Sequence, residues 1–221
     1  MNSGEIVALI FLGTIAIVTV WRCLPGVIFS FFPEKFRAYY DNDERIIQKF
    51  LQEDNVLPIA EKLEALGFFK MGVNTAKLPL WGNKRREIMF ASTHEHAFAS
   101  IIHVNYKTIY YFLTPFSGGQ FVITANGGYP SVRTEDFIQS SAYNVSAEEV
   151  LSFHRKQVDE FLAKGFTPFP EYSQKARATA VSTYLKLNKV RKGMVITGAA
   201  YSFLIFVTCF LFIFFIFQLL K

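Results

Sequence analysis

Cysteine is scarce in this sequence, and the middle of the chain has none. The two cysteines, Cys23 and Cys209, lie within or beside the apolar ends of the 221-residue chain. Residues 33–192 can therefore form neither a disulfide framework nor a thiolate metal site. This distribution of cysteine suits a reducing compartment.

Charge is missing from two long stretches. No charged residue lies between Gly193 and Leu220, and none lies between Ile6 and Val20. As helices these stretches would measure roughly 40 Å and roughly 22 Å, against a hydrocarbon core of about 30 Å. Because lipid offers the backbone no hydrogen-bond partners, a helix is the structure that such a stretch adopts in a bilayer. The sequence predicts a C-terminal transmembrane helix over 194–221.

The N-terminal stretch becomes long enough to cross a bilayer when Trp21 and Arg22 are included. A Trp ring sits well at headgroup level, and an Arg side chain can snorkel outward. Pro25 and Gly26 are expected to kink or end the helix, which leaves 27–32 along the interface. A signal peptide is the alternative, but the opening MNSGE has no basic residue. Residues 1–32 are predicted to form a transmembrane helix and an interfacial segment.

Lysine and arginine flank the two apolar stretches on one side only. The outer flanks carry Glu5 and Lys221, and the inner flanks carry nine cations: Arg22, Lys35, Arg37, Lys175, Arg177, Lys186, Lys189, Arg191 and Lys192. The positive-inside rule then predicts a cell-membrane protein with a cytoplasmic middle and both termini on the opposite side. Asn144-Val145-Ser146 matches a glycosylation sequon, but one such match is expected by chance.

The middle, residues 33–172, has the patterns of an α+β domain. Helical spacing of apolar residues occurs over 43–52, 58–67 and 146–165. Ser146 and Glu149 form a capping box at the start of the third helix, and its predicted buried stripe is Val150, Leu151, Val158, Phe161 and Leu162. Residues 173–193 are predicted to form a basic juxtamembrane helix, continuous with the membrane helix and bent at Gly193.

Four segments have the composition of β-strands: 87–92, 97–104, 108–114 and 120–125. Short links between them predict an antiparallel sheet of roughly four strands. Residues 68–87 and 126–144 lose this pattern and are interpreted as loops. Both faces of the sheet are rich in apolar residues, so the second face is expected to pack on helices, on the membrane surface or on another subunit.

Few residues in the domain are candidates for catalysis or for binding a metal or a phosphate. His94 and His96 would point to one face of a strand, as two metal ligands should, but no third ligand is assured and a polar turn is the commoner reason for such a pair. His154 lies on the apolar stripe of its helix, where a structural histidine is the commoner case. The glycines of 117–119 and 126–128 do not open a helix, so no phosphate site is predicted.

The basic residues are more informative about surfaces. Contact with lipid headgroups or with a partner is predicted for Arg22, Lys84, Arg85, Arg86, Lys189, Arg191 and Lys192. Nucleic acid is not expected as a ligand, because the strands carry few cations. No cofactor is predicted.

Three functions remain open. The leading hypothesis is a non-catalytic accessory, anchoring or assembly subunit of a membrane complex, in contact with other membrane subunits or with itself. The alternative is a membrane-tethered module that binds a small ligand or lipid on an aromatic sheet face formed by Tyr110, Tyr111 and Phe112. The third is a metal-dependent enzyme built on His94 and His96.

Overall fold

The computed structural model describes residues 3–33, 39–41, 43–53, 55–77, 79–82, 84–104, 107–127 and 130–219. Of these, the side chains of 39–41, 77, 84, 85, 104 and 189 are not described. The chain divides into two compact units, one comprising 1–37, 77–84 and 185–221 and the other 38–76 and 85–184. We call them the helix-pair unit and the sheet unit.

The described residues form helices and strands in an irregular order. The helices are α1 (Ser3–Phe31), α2 (Glu44–Leu51), α3 (Val56–Ala65), α4 (Ala147–Ala163), α5 (Gln174–Lys186) and α6 (Asn188–Leu219). The strands are β1 (Tyr39–Asp41), β2 (Phe69–Lys77), β3 (Lys84–Ser92), β4 (Ala97–Val104), β5 (Lys107–Pro115), β6 (Phe121–Ala125), β7 (Val132–Arg133) and β8 (Phe137–Ser141). The mixed α+β class is confirmed.

Helices α1 and α6 pack against each other in the helix-pair unit. A Cβ added at Gly13 would meet the Phe212 ring at 3.1 Å, and one added at Gly198 would meet the Ser30 Cβ at 2.8 Å. Later residues of α1 therefore contact earlier residues of α6, so the two helices are antiparallel. Small residues allow this close approach, as is common between helices in membranes.

Among the described residues, the sheet has eight strands in the order β1-β2-β3-β4-β5-β6-β8-β7. The predicted sheet of roughly four antiparallel strands is therefore too small, and β6 pairs with β8 in parallel. The segments interpreted as loops supply the missing strands. Residues 69–77 form β2, 84–87 begin β3, and 126–144 contain β7 and β8. The four predicted strands are confirmed as β3 to β6.

Helices α2, α3 and α4 pack on one face of the sheet, and capping residues mark the starts of α2 and α4. The Asp43 carboxylate accepts a hydrogen bond from the Arg45 N–H at the start of α2, and Ser146 and Glu149 form the predicted capping box of α4. Helices α2, α3 and α4 bury their apolar stripes with the sheet residues Phe90, Ala99 and Phe112. The prediction for α4 fails at one residue, because Leu162 is exposed.

The second face of the sheet is covered by the chain itself. Helix α5, capped by the Ser173 hydroxyl, buries Ala176, Arg177 and Ala180. The Tyr184 ring packs on the rings of Phe121 and Phe137. The covering element is thus a helix, and the apolar composition of the sheet gives no argument for a membrane or subunit contact.

The structure contradicts an end of α1 at Pro25 and an unbroken helix from residue 173 into the C-terminal span. Helix α1 continues through Pro25 to Phe31, so most of the expected interfacial segment 27–32 is helical. The predicted long helix is interrupted at Leu187, between α5 and α6, and Gly193 lies inside α6.

Candidate functional site

Helices α1 and α6 are long and apolar enough to cross a membrane, over Ser3–Phe31 and Val190–Leu219. Length and composition alone also fit core helices of soluble proteins and signal sequences. A core helix is buried, whereas only 6% of the most apolar window of α1 and 0% of that of α6 is buried. This exposure is compatible with membrane association.

One face of α6 carries a stripe of exposed phenylalanines. The stripe consists of Phe203, Phe206, Phe210, Phe214 and Phe217, each more than half exposed. At about 100° per residue these five positions lie within roughly 80° of one another. Gly198 and Phe212, which contact α1, lie on the far side of the helix. We call this surface the Phe stripe.

Two tryptophans and a proline meet beside α1. Pro25 has no N–H, so the carbonyl of Trp21, four residues earlier, loses its helical hydrogen bond. The indole Nε1 of Trp81 donates a hydrogen bond of 2.6 Å to this Trp21 oxygen. The two indole rings also stack, with centroids 4.4 Å apart and an interplanar angle of 13°. This substitute bond explains how α1 continues through Pro25.

An apolar groove of about 350 Å³ runs along the helix pair beside these tryptophans. Its walls come from both helices and from the segment 79–82: Gly13, Ala16, Ile17, Val20, Trp21, Trp81, Cys209 and Phe212. The thiol of Cys209 is the one titratable side chain in this lining. The groove can hold an acyl chain or an apolar side chain.

The predicted contact cations differ in their surroundings. Arg191 donates a hydrogen bond of 3.1 Å to the Phe31 carbonyl and so satisfies the end of α1. Arg22 and Lys192 are exposed, and Arg86 is half-buried. The side chains of Lys84, Arg85 and Lys189 are outside the described set. Contact of these residues with lipid or a partner stays a prediction.

His94 and His96 lie in the turn between β3 and β4, not on a strand, so the shared-face argument does not hold. The His94 ring is exposed and lies 2.9 Å from Glu95 Oε1, which also pairs with Arg155. That guanidinium holds the pKa of Glu95 below its ordinary value. Among the described residues, His, Cys, Asp and Glu form no group of three or more that could hold a metal.

His154 belongs to α4, and its side chain is fully buried. Its Nε2 lies 2.9 Å from Thr114 Oγ1 and its Nδ1 lies 3.1 Å from Thr124 Oγ1. Burial lowers the pKa of His154 to about 3, so the ring is neutral at physiological pH. The structural interpretation fits this setting, with burial more complete than expected.

A polar cleft of about 370 Å³ adjoins this histidine. Thr124, Ser140 and Gln157 form one wall and hydrogen-bond to one another. The lining also includes the apolar side chains of Val145 and Phe153. Sequence reasoning missed the cleft because its polar residues come from β6, β8 and α4.

The aromatic sheet face proposed for ligand binding is not accessible. Tyr110 and Phe112 are buried in the core with α4. Tyr111 points to the other face, where its hydroxyl contacts Glu87 and Arg177. Comparison of this chain with protein-family models, with curated proteins and with solved structures finds no match.

Proposed function

We propose that this protein is a two-pass membrane protein that acts by contact, as a non-catalytic accessory, anchoring or assembly subunit. Helices α1 and α6 cross the bilayer as an antiparallel pair. Residues between them lie on the cytoplasmic side, and the outer ends of both helices lie on the opposite side. The distribution of lysine and arginine supports this orientation.

The observation that carries the proposal is the two-sided character of α6. One side contacts α1 through small residues such as Gly198, and the other presents the Phe stripe. Leucine and isoleucine would satisfy lipid equally well, since lipid tails impose no preference for rings. Aromatic rings add pairwise stacking when another helix meets them. The Phe stripe is therefore the surface on which we place a second membrane helix, from another subunit or from a second copy.

Photo-cross-linking tests this contact. A benzoyl-phenylalanine at Phe210 is expected to cross-link to another protein chain in intact membranes. Leu211 provides the matched control, because it is nearly as exposed but lies about 100° away around the helix. The same probe at Leu211 should label lipid only.

A companion measurement is the mass of the protein after mild detergent extraction. An assembly larger than the monomer is expected. A monomeric particle together with no protein adduct at Phe210 would contradict the subunit role. Release of the chain by alkaline carbonate would contradict membrane insertion itself.

A second candidate function is favoured by the polar cleft beside His154. The cleft has a volume of about 370 Å³ and a lining of both polar and apolar side chains, which is enough space for a small ligand. Native mass spectrometry of the extracted protein would show an added small mass if such a module is present. The Gln157→Leu variant should lose that mass, because Gln157 supplies the central amide of the wall.

A further inference from the structure

We propose that Trp21 and Trp81 mark the boundary between hydrocarbon and headgroups on the cytoplasmic side, with the segment 79–82 seated in the headgroup region of the bilayer. This inference rests on the proposed two-pass arrangement and adds a third element to the membrane contact. The segment joins β2 to β3 and belongs to the helix-pair unit.

The charges of α1 limit where the boundary can lie. Glu5 and Arg22 bound an uncharged run from Ile6 to Trp21. That run measures roughly 24 Å, somewhat less than the core of about 30 Å. Each charge therefore lies near one surface of the bilayer, and the exposed Arg22 reaches the headgroups by snorkelling.

An alternative is a hydrocarbon boundary at the level of the contact between Arg191 and Phe31. Phe31 is ten residues beyond Trp21, or roughly 15 Å along α1. A boundary there would immerse Arg22 and the segment 79–82 in hydrocarbon. Lipid-exposed backbone that is neither helix nor closed sheet does not occur at that depth. The segment is a turn with exposed Leu80 and Trp81, so this alternative is disfavoured.

The chemistry of the segment suits the headgroup region. Trp81 presents an apolar ring whose N–H is already used by the Trp21 carbonyl, and tryptophan is enriched at this depth. Leu80 is 50% exposed with φ of +58°, a strained conformation that displays its side chain on the surface. In sequence, Lys77 and the run Lys84 to Arg86 flank the segment, as expected beside anionic headgroups.

Tryptophan fluorescence tests the depth directly, because Trp21 and Trp81 are the two tryptophans of the chain. The full-length protein is reconstituted in vesicles of phosphatidylcholine and phosphatidylglycerol that contain a lipid spin-labelled either near the headgroup or near the end of the acyl chain. Trp21→Phe leaves Trp81 as the reporter, and Trp81→Phe leaves Trp21.

We expect the shallow label to quench Trp81 at least twofold more strongly than the deep label does. Equal or stronger quenching by the deep label would overturn the proposal, as would no quenching by either label. Quenching of Trp21 distinguishes a failure of the interfacial segment from a failure of the two-pass arrangement. If Trp21 is quenched and Trp81 is not, the spans stand and the interfacial segment fails. If neither is quenched, the two-pass arrangement fails as well.

Discussion

The two units of the molecule distribute the same kinds of residue in opposite ways. In the sheet unit, rings such as Phe90 and Phe112 are fully buried and most charges face solvent. In the helix-pair unit, rings such as Phe203 and Phe206 are about two-thirds exposed. The sheet unit therefore has the residue distribution of a domain in water, and the exposure of the helix pair is compatible with an apolar solvent.

Buried polar groups sharpen this contrast. The guanidinium of Arg177 is 1% exposed in the sheet unit and contacts Glu87, Ser100 and Tyr111. In the helix-pair unit, the bond from Trp81 to the Trp21 carbonyl joins two neutral groups, and the cation Arg191 donates to the Phe31 carbonyl at the end of α1. Each unit should consequently lose stability through a different kind of substitution.

The largest effect is expected at Arg177. Arg177→Met leaves the carboxylate of Glu87 in a buried setting without its cation, which typically costs about 3–5 kcal/mol of unfolding free energy. Arg133→Met removes the cation of an exposed pair with Glu160 and should cost less than about 1 kcal/mol. Denaturant unfolding in detergent measures both variants. Equal losses would contradict the assigned role of Arg177.

The next largest loss of stability is expected in the helix-pair unit. Gly198→Ala places a Cβ 2.8 Å from the Ser30 Cβ, and such overpacking costs about 1–3 kcal/mol. Gly193→Ala is the matched control in the same helix, because no atom lies within 4 Å of the added Cβ. The control should be neutral or stabilising by about 0.5–1 kcal/mol. Thermal unfolding in detergent compares them, and similar results for both would argue against the close helix contact.

The pH dependence should come from the sheet unit. The pKa of His154 is about 3 in the folded protein and ordinary, near 6.5, when unfolded. The unfolded chain therefore takes up a proton first as pH falls, and stability decreases from about pH 6.5 down to about 3. Between pH 7.5 and 5.5 we expect a loss of about 1.4 kcal/mol. His154→Gln should remove this part of the slope, and an unchanged slope would show that other groups cause it.

The smallest effect concerns Trp81. Trp81→Phe keeps an aromatic ring against Trp21 but loses the hydrogen bond to its carbonyl, at a cost of about 1 kcal/mol. Pro25→Ala restores the N–H that this carbonyl normally receives. The loss from Trp81→Phe should therefore shrink in the Pro25→Ala background. Additive effects in this double-mutant cycle would mean that the indole bond does not replace the missing helical bond.

Sequence reasoning succeeded where the cause of structure is local. The capping box of Ser146 and Glu149 predicted the start of α4, and uncharged length predicted α1 and α6. It failed where the cause is distant. Strand β8 is held by parallel pairing with β6, which adjacent residues do not reveal. Residues 69–77 lack alternation, with Gly72 and Asn74 inside the strand.

The candidate site shows the same limit. Pro25 predicted a break because its compensating donor, Trp81, is 56 residues away in the sequence. Arg177 looked like part of a solvated basic helix, although its carboxylate partner Glu87 lies on a strand 90 residues earlier. The Phe stripe, by contrast, could have been found by placing residues 203–217 on a helical wheel.

The most direct test of the account is the sidedness of two engineered cysteines in a background that carries Cys23→Ala and Cys209→Ala. Ser131→Cys reports the exposed surface of the sheet unit, and Ser3→Cys reports the outer end of α1. In intact cells, a membrane-impermeant maleimide should label the cysteine at position 3, and it should reach position 131 only after permeabilisation. Labelling of position 131 in intact cells would contradict the cytoplasmic placement, and labelling of both positions from the same side would contradict the paired spans.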